Sequence, residues 1–156
     1  MIPLAKRPSN AAVALLRQAT ALAPKRSKAS DGLLPSAAHV HQNPNSDHNS
    51  GHAVDLTHDP KGGVDCRVIY SELQKDKRVK YLIFNAKIWS RSRGENTYTG
   101  PNRHEKHLHV SIYPEFENDT SDWFPWTGGP KKWNKVKSKF IKANRKKKDQ
   151  SSPKED

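Results

Sequence analysis

Apolar residues along this chain fall into a few short segments, each with its own spacing. Ala12, Leu15, Leu16, Ala19 and Leu22 recur at helical intervals. They predict a first helix over residues 9–23, capped by Ser9 or Asn10 and ended by Pro24. Residues 24–51 show no periodicity and are rich in Lys, Ser, Pro, Asn and Gly. A loop that long inside a compact domain often carries function. His52 to His58 reads as a short strand, with Ala53, Asp55 and Thr57 on one face and Val54 and Leu56 on the other. A turn at residues 59–63 follows. Residues 64–75 predict a helix that sends Cys66, Ile69, Tyr70 and Leu73 toward a core. Residues 79–84 and 87–90 predict two strands joined tightly at Asn85-Ala86. Residues 90–103 read as loop, and 107–113 as a last strand. Helices and strands mix without a βαβ rhythm, so the expected class is α+β, built on a small, largely antiparallel sheet.

The chain has 156 residues, enough for one domain. Residues 119–129 carry Trp123, Phe124 and Trp126 and are expected to close over the core. Beyond them the character changes. Ten Lys or Arg and no acid lie within residues 131–148, so most of the formal +12 charge sits there. The expected division is a domain over 1–129 and a basic tail over 130–156. Trp133, Val136, Phe140 and Ile141 would set an apolar stripe along a basic helix. Such a tail is attracted to an anionic envelope surface, whether lipopolysaccharide, phospholipid or teichoic acid. Nucleic acid, attracted by charge alone, is the weaker candidate. A solvated extension is the plain alternative.

Cys66 is the single cysteine, which excludes an intramolecular disulfide and argues against a cysteine-based structural zinc site. No apolar run approaches membrane-spanning length. Arg17 and Gln18 interrupt the apolar stretch that begins at Ala11, so the N-terminus reads as an amphipathic helix and not as a convincing signal segment.

The chemistry lies in the histidines. Catalytic zinc takes three protein ligands from His and carboxylates and keeps a fourth position open. His48, Asp55 and one later His would supply such a set, with Gly51 letting the chain turn between the first two. In the last strand His107 and His109 share a face because side chains alternate. An aspartate inside a short apolar strand needs a partner or a metal.

The run Ser46-Asp-His48-Asn-Ser-Gly51-His-Ala53-Val-Asp55, with His107-Leu-His109 downstream, resembles the D-Ala-D-Ala carboxypeptidase-like (LAS-superfamily) zinc peptidases. Lysostaphin-type enzymes and hedgehog signalling domains belong to that superfamily. The resemblance spans about residues 25–113, and residues 76–90 and 99–104 resemble small phage endolysins of this type. It implies an antiparallel sheet flanked by helices, with Zn2+ on the sheet held by His48, Asp55 and His109. It implies that His107, beside the metal, and His104 are the catalytic histidines, and that Ser46 lies near the substrate. One branch of the family places a carboxylate base three residues before the last ligand. Lys106 stands there, so the base role moves to His107 or His104, with Glu105 a further candidate by strand parity.

The implied function is hydrolysis of peptide bonds in peptidoglycan stem peptides by a monomeric enzyme. As an endolysin it would pass from host cytoplasm to cell wall or periplasm; a virion-associated or bacterial enzyme stays open. L-Ala–D-Glu, D-Ala–diaminopimelate and D-Ala–D-Ala bonds are all open, the first preferred. Substrate carboxylates call for a cation, and Arg26, Arg91, Arg93 and Arg103 are available; Arg103, next to His104, is the first choice. His39, His41, His52 and His58 are read as non-catalytic. The competing reading is a noncatalytic zinc domain that binds wall fragments or a protein. A magnesium-dependent nuclease fits the histidine-rich pattern poorly, since such sites lean on carboxylates.

Overall fold

The computed structural model describes residues 4–139. Phe140, Ile141 and the rest of the basic tail lie outside the described residues. The fold is α+β, with helices flanking an antiparallel sheet. In chain order the elements are α1 (Asn10–Leu22), α2 (Ala37–Gln42), β1 (Ala53–Thr57), α3 (Cys66–Leu73), β2 (Val79–Phe84), β3 (Lys87–Ser90), β4 (Gly94–Thr97) and β5 (His107–Ile112). Residues 130–139 form a further helix, α4. The strands lie in the order β1-β5-β2-β3-β4, with every pairing antiparallel.

Strand alternation divides the sheet into two unlike faces. Val54, Leu56, Leu82, Phe84, Leu108, Val110 and Ile112 turn to one side and are buried with α1 and α3. Asp55, Tyr81, Ile83, His107, His109 and Ser111 have the opposite parity. The register locks these two sets in place, because Asp55 pairs with His109 and His109 with Ile83 across neighbouring strands. A slip of one residue would exchange the apolar face for the polar one, so burial of the first face fixes the second.

Helix α1 forms as expected: the Ser9 hydroxyl accepts from the Ala12 N–H at 3.3 Å, and Ala11, Ala12, Ala14 and Leu15 are fully buried. Asp65 caps α3 in the same way. Two features differ from the expected elements. Residues 94–97 form β4 inside the expected loop, pairing with β3 through the backbone. Helix α2 interrupts the long loop before β1.

That loop is pinned by a buried ion pair. Arg26 is 5% exposed and meets Asp31 bidentately, Nη1 to Oδ1 at 3.0 Å and Nη2 to Oδ2 at 2.7 Å. Its Nε donates to Thr20 of α1, while Asp31 accepts from the Thr57 N–H and hydroxyl at 3.0 and 2.7 Å. Helix, loop and β1 are thereby tied together. Burial pushes the Asp31 carboxyl up, but hydrogen bonds from Arg26 and Thr57 outweigh it and hold the group below its ordinary value. A folded pKa below the unfolded one means the stabilisation is complete above the unfolded value and is lost as pH falls through the folded one. In thermal melts, Asp31→Asn is therefore expected to be less stable than wild type at pH 7. The gap should close as the pH is taken below about 4.

The aromatic segment closes the core as expected. Trp123 is 1% exposed, and its indole N–H donates to the Ala11 carbonyl at 3.0 Å. Arg78 lies over its ring at 3.5 Å and donates to the carbonyls of Asp119, Ser121 and Asp122. Trp123→Ala is expected to lose about 3–5 kcal/mol, as full truncation of a buried aromatic does. Urea unfolding should show this as a lower midpoint at unchanged slope. Trp133 belongs to the same core: it is 3% exposed, although the segment after residue 129 reads as a separate tail in sequence.

Candidate metal centre

Three side chains converge at the β1–β5 edge. Asp55 Oδ1 lies 3.2 Å from His48 Nε2 and 3.3 Å from His109 Nδ1. All three donor atoms fall within 4.8 Å of one another, so the set can hold one metal ion. Donors about 2.0–2.1 Å from a tetrahedral centre sit about 3.3–3.4 Å apart, close to both of these separations.

The surrounding hydrogen bonds explain why a cation suits this point. His48 Nδ1 faces the Leu33 carbonyl at 2.7 Å and must donate to it, since a carbonyl only accepts. Nε2 then meets the carboxylate either with a second proton or with a lone pair shared with a cation. His109 Nε2 contacts the Ser111 hydroxyl at 2.8 Å, which leaves Nδ1 for the centre. Both imidazoles thus have an outer partner that sets ring orientation, as metal-bound histidines generally do. Burial disfavours charge on His48 and on Asp55, but their mutual contact and His109 win: the His48 imidazole is raised and the Asp55 carboxyl is held far below its usual range.

Local structure accounts for each position. His48 sits in a turn where its N–H donates to the Ser46 hydroxyl at 3.3 Å. Gly51 ends that turn at φ 78°, and a Cβ there would come within 2.9 Å of the Arg7 carbonyl oxygen. Asp55 is flanked on its outer side by Gly32, which exchanges backbone hydrogen bonds with it at 2.8 and 3.1 Å. A Cβ on Gly32 would lie 3.1 Å from Asp55 Oδ2, so glycine leaves the carboxylate its room.

The cleft above these donors measures about 510 Å³ and is also lined by Ser46, Tyr81, Tyr98, Asn102, His104 and His107. His107 Nε2 is 3.7 Å from Asp55 Oδ1, farther than either of the two donor nitrogens. The His104 ring packs 4.9 Å from that of His107, and its Nδ1 donates to the Asn102 carbonyl at 2.7 Å. His104 has φ 58°, a left-handed conformation unusual for a residue with a Cβ. It is held there by the β2–β3 turn, where Asn85 N–H donates to the His104 carbonyl at 2.9 Å and Ala86 N–H to that of Arg103 at 2.8 Å. Burial lowers His107, and lowers His104 to about 4.

No protein-family model, curated protein or solved structure matches the chain.

Among the residues singled out in sequence, His48, Asp55, His109, His107, His104 and Ser46 all line this one cleft. Arg103 does not. It lines an adjoining depression that shares Asn102, His104 and His107 with the cleft, and it pairs with exposed Glu105 at 3.4 Å. Arg26 is a buried structural cation, and Arg91 is engaged with the Val79 and Asp76 carbonyls. His58 accepts from the Cys66 N–H, and His52 bridges Ser50 and Glu117. Cys66 is buried, and burial pushes its thiol up.

Tyr81 and Tyr98 were missed in sequence. Tyr81 stacks on His109 with ring centroids 5.2 Å apart and planes 13° apart, and burial pushes its hydroxyl up to about 12. Its signal was strand parity, since it stands one place before Leu82 on the opposite face. Tyr98, edge-on to His104, had no comparable signal because β4 carries no apolar alternation.

Proposed function

We propose that the chain is a zinc-dependent peptidase that hydrolyses peptide bonds in the stem peptides of bacterial peptidoglycan. The observation that carries this reading is the company of His107 and His104. A purely structural metal site needs only its donors, whereas here two further imidazoles share the cleft. Two imidazole nitrogens and one carboxylate oxygen suit zinc and leave a fourth position open. Zinc bound there supplies Lewis acidity toward a carbonyl and toward water.

The remaining work falls to the protein. His107 accepts the proton of the attacking water and returns it to the leaving amine. A neutral imidazole is needed for that, and burial favours the neutral form of both His107 and His104. His104 keeps its Nδ1–H on Asn102, so its Nε2 lone pair is available as the second base or as a partner to His107. Ser46, Asn43, Asn102, Tyr81 and Tyr98 line the cleft with hydroxyls and amides suited to peptide groups. Arg103 meets a substrate carboxylate only where the peptide extends over the His104–His107 rim. An endolysin is the setting that fits best, and L-Ala–D-Glu is the preferred bond.

Digestion of purified peptidoglycan tests this directly. The wild-type chain is expected to release fragments with new amino termini, identified by mass spectrometry, and a zinc chelator is expected to abolish them. Intact wall in the presence of stoichiometric bound zinc would sink the enzyme reading and favour a noncatalytic zinc-binding domain.

A further inference from the structure

On the helix side of the sheet, a second cleft of about 560 Å³ opens between the end of α1, the turn before α3 and the start of α4. Lys25, Lys61, Lys131 and Lys137 line it over a floor of small apolar residues, and no acidic residue is among its described lining. Among the described residues none of these lysines pairs with a carboxylate. Asp59, in the same turn as Lys61, is already engaged by the backbone N–H groups of Ser27 and Gly62 at 2.8 and 3.1 Å. The N-terminal end of α4 also faces this space, which favours negative charge there.

The kind of anion follows from where the aromatic residues are. Trp133 is the main apolar anchor on α4, and it is turned inward: its indole N–H donates to the Gly63 carbonyl at 3.1 Å and its ring packs on Trp126 at 5.5 Å. The described part of α4 therefore offers a bilayer lysines and not an aromatic face, which disfavours insertion. Among the described residues no aromatic ring lines the cleft, so that lining offers no surface for stacking on a nucleic-acid base. The described lining offers repeated positive charge and no stacking surface, which suits repeated charge without bases.

We propose that this cleft binds a phosphodiester polymer of the polyol-phosphate type, held by the four lysines through its charge. The proposal is independent of any activity at the metal centre.

The test uses the full chain and labelled poly(glycerol phosphate), with fluorescence anisotropy read across a salt series. Each lysine–phosphate contact contributes about 0.7 to the slope of log affinity against log salt. The double variant Lys25→Gln/Lys61→Gln should lower that slope by about 1.4 and weaken binding at low salt by roughly tenfold or more. Both lysines are exposed, so the variant should keep the wild-type melting temperature. Lys6→Gln/Lys28→Gln removes the same charge from exposed positions that do not line the cleft and should cost markedly less. Equal losses in the two variants would reduce the effect to diffuse charge and overturn the site. Absence of binding by the wild-type chain at low salt would overturn it outright. Tighter binding of single-stranded DNA of equal charge would overturn the base-free assignment.

Discussion

Asp55→Ala is expected to release the metal and take wall cleavage to background. Asp55 Oδ1 is the one atom in contact with both other donors, at 3.2 and 3.3 Å. Its removal leaves two imidazoles with no carboxylate between them. Loss of a mere outer-shell partner costs about 10–100-fold in affinity, and loss of the central donor should exceed that. Thermal melts give a second readout. A ligand present at a thousand times its Kd stabilises the folded state by about 4 kcal/mol. Zinc should therefore raise the melting temperature of the wild-type chain by several degrees and leave that of Asp55→Ala unmoved. Asp55→Asn keeps the shape without the charge and should behave the same way. The backbone pairing of residue 55 with Gly32 and His109 is untouched, so circular dichroism should show an intact fold. Cleavage at the wild-type rate by either variant would remove the metal from the mechanism.

The second large effect separates turnover from metal binding. His107→Ala is expected to lose about 10²–10⁴-fold in kcat, the usual contribution of a positioned base, while still binding one metal ion. The structural ground is that His107 Nε2 stands 3.7 Å from Asp55 Oδ1, beside the donor set and not within it. Metal stoichiometry measured alongside kcat on a soluble stem peptide checks both halves. A variant that loses metal would make His107 a ligand. A variant that keeps full turnover would pass the base role to His104, which shares the cleft.

These predictions draw on different amounts of sequence information. The two strands at residues 79–84 and 87–90 were legible to the residue, because short local runs of aromatic and β-branched residues flank a tight turn. Helix α1 was legible from its helical period, and its cap agreed with Ser9. Spacing made His48, Asp55 and one later His legible as a donor set, and the family resemblance singled out His109 among the candidates. Strand β4 was not legible, since Gly94-Glu95-Asn96-Thr97 has no apolar alternation and is ordered by backbone pairing to β3 and by the Tyr70 hydroxyl, which donates to Glu95 at 2.9 Å. Arginine was read least well. In sequence Arg26 was one of four loop arginines available to a substrate carboxylate, yet Asp31, five residues on, captures it inside the domain.

By itself, the sequence determined the elements whose pattern repeats within a few residues, and the candidate donors that ride on them. Local spacing suffices there, because backbone geometry alone decides which side chains share a face. Only the tertiary structure decided which distant residues meet. Pairing of β1 with β5 brings Asp55 against His109, and the β2–β3 turn carries His104 toward the same cleft. Closure of α4 turns Trp133 from a surface stripe into core and leaves a ring of lysines outside. Those contacts join positions tens of residues apart, and they depend on how the faces pack, which no short window of sequence encodes.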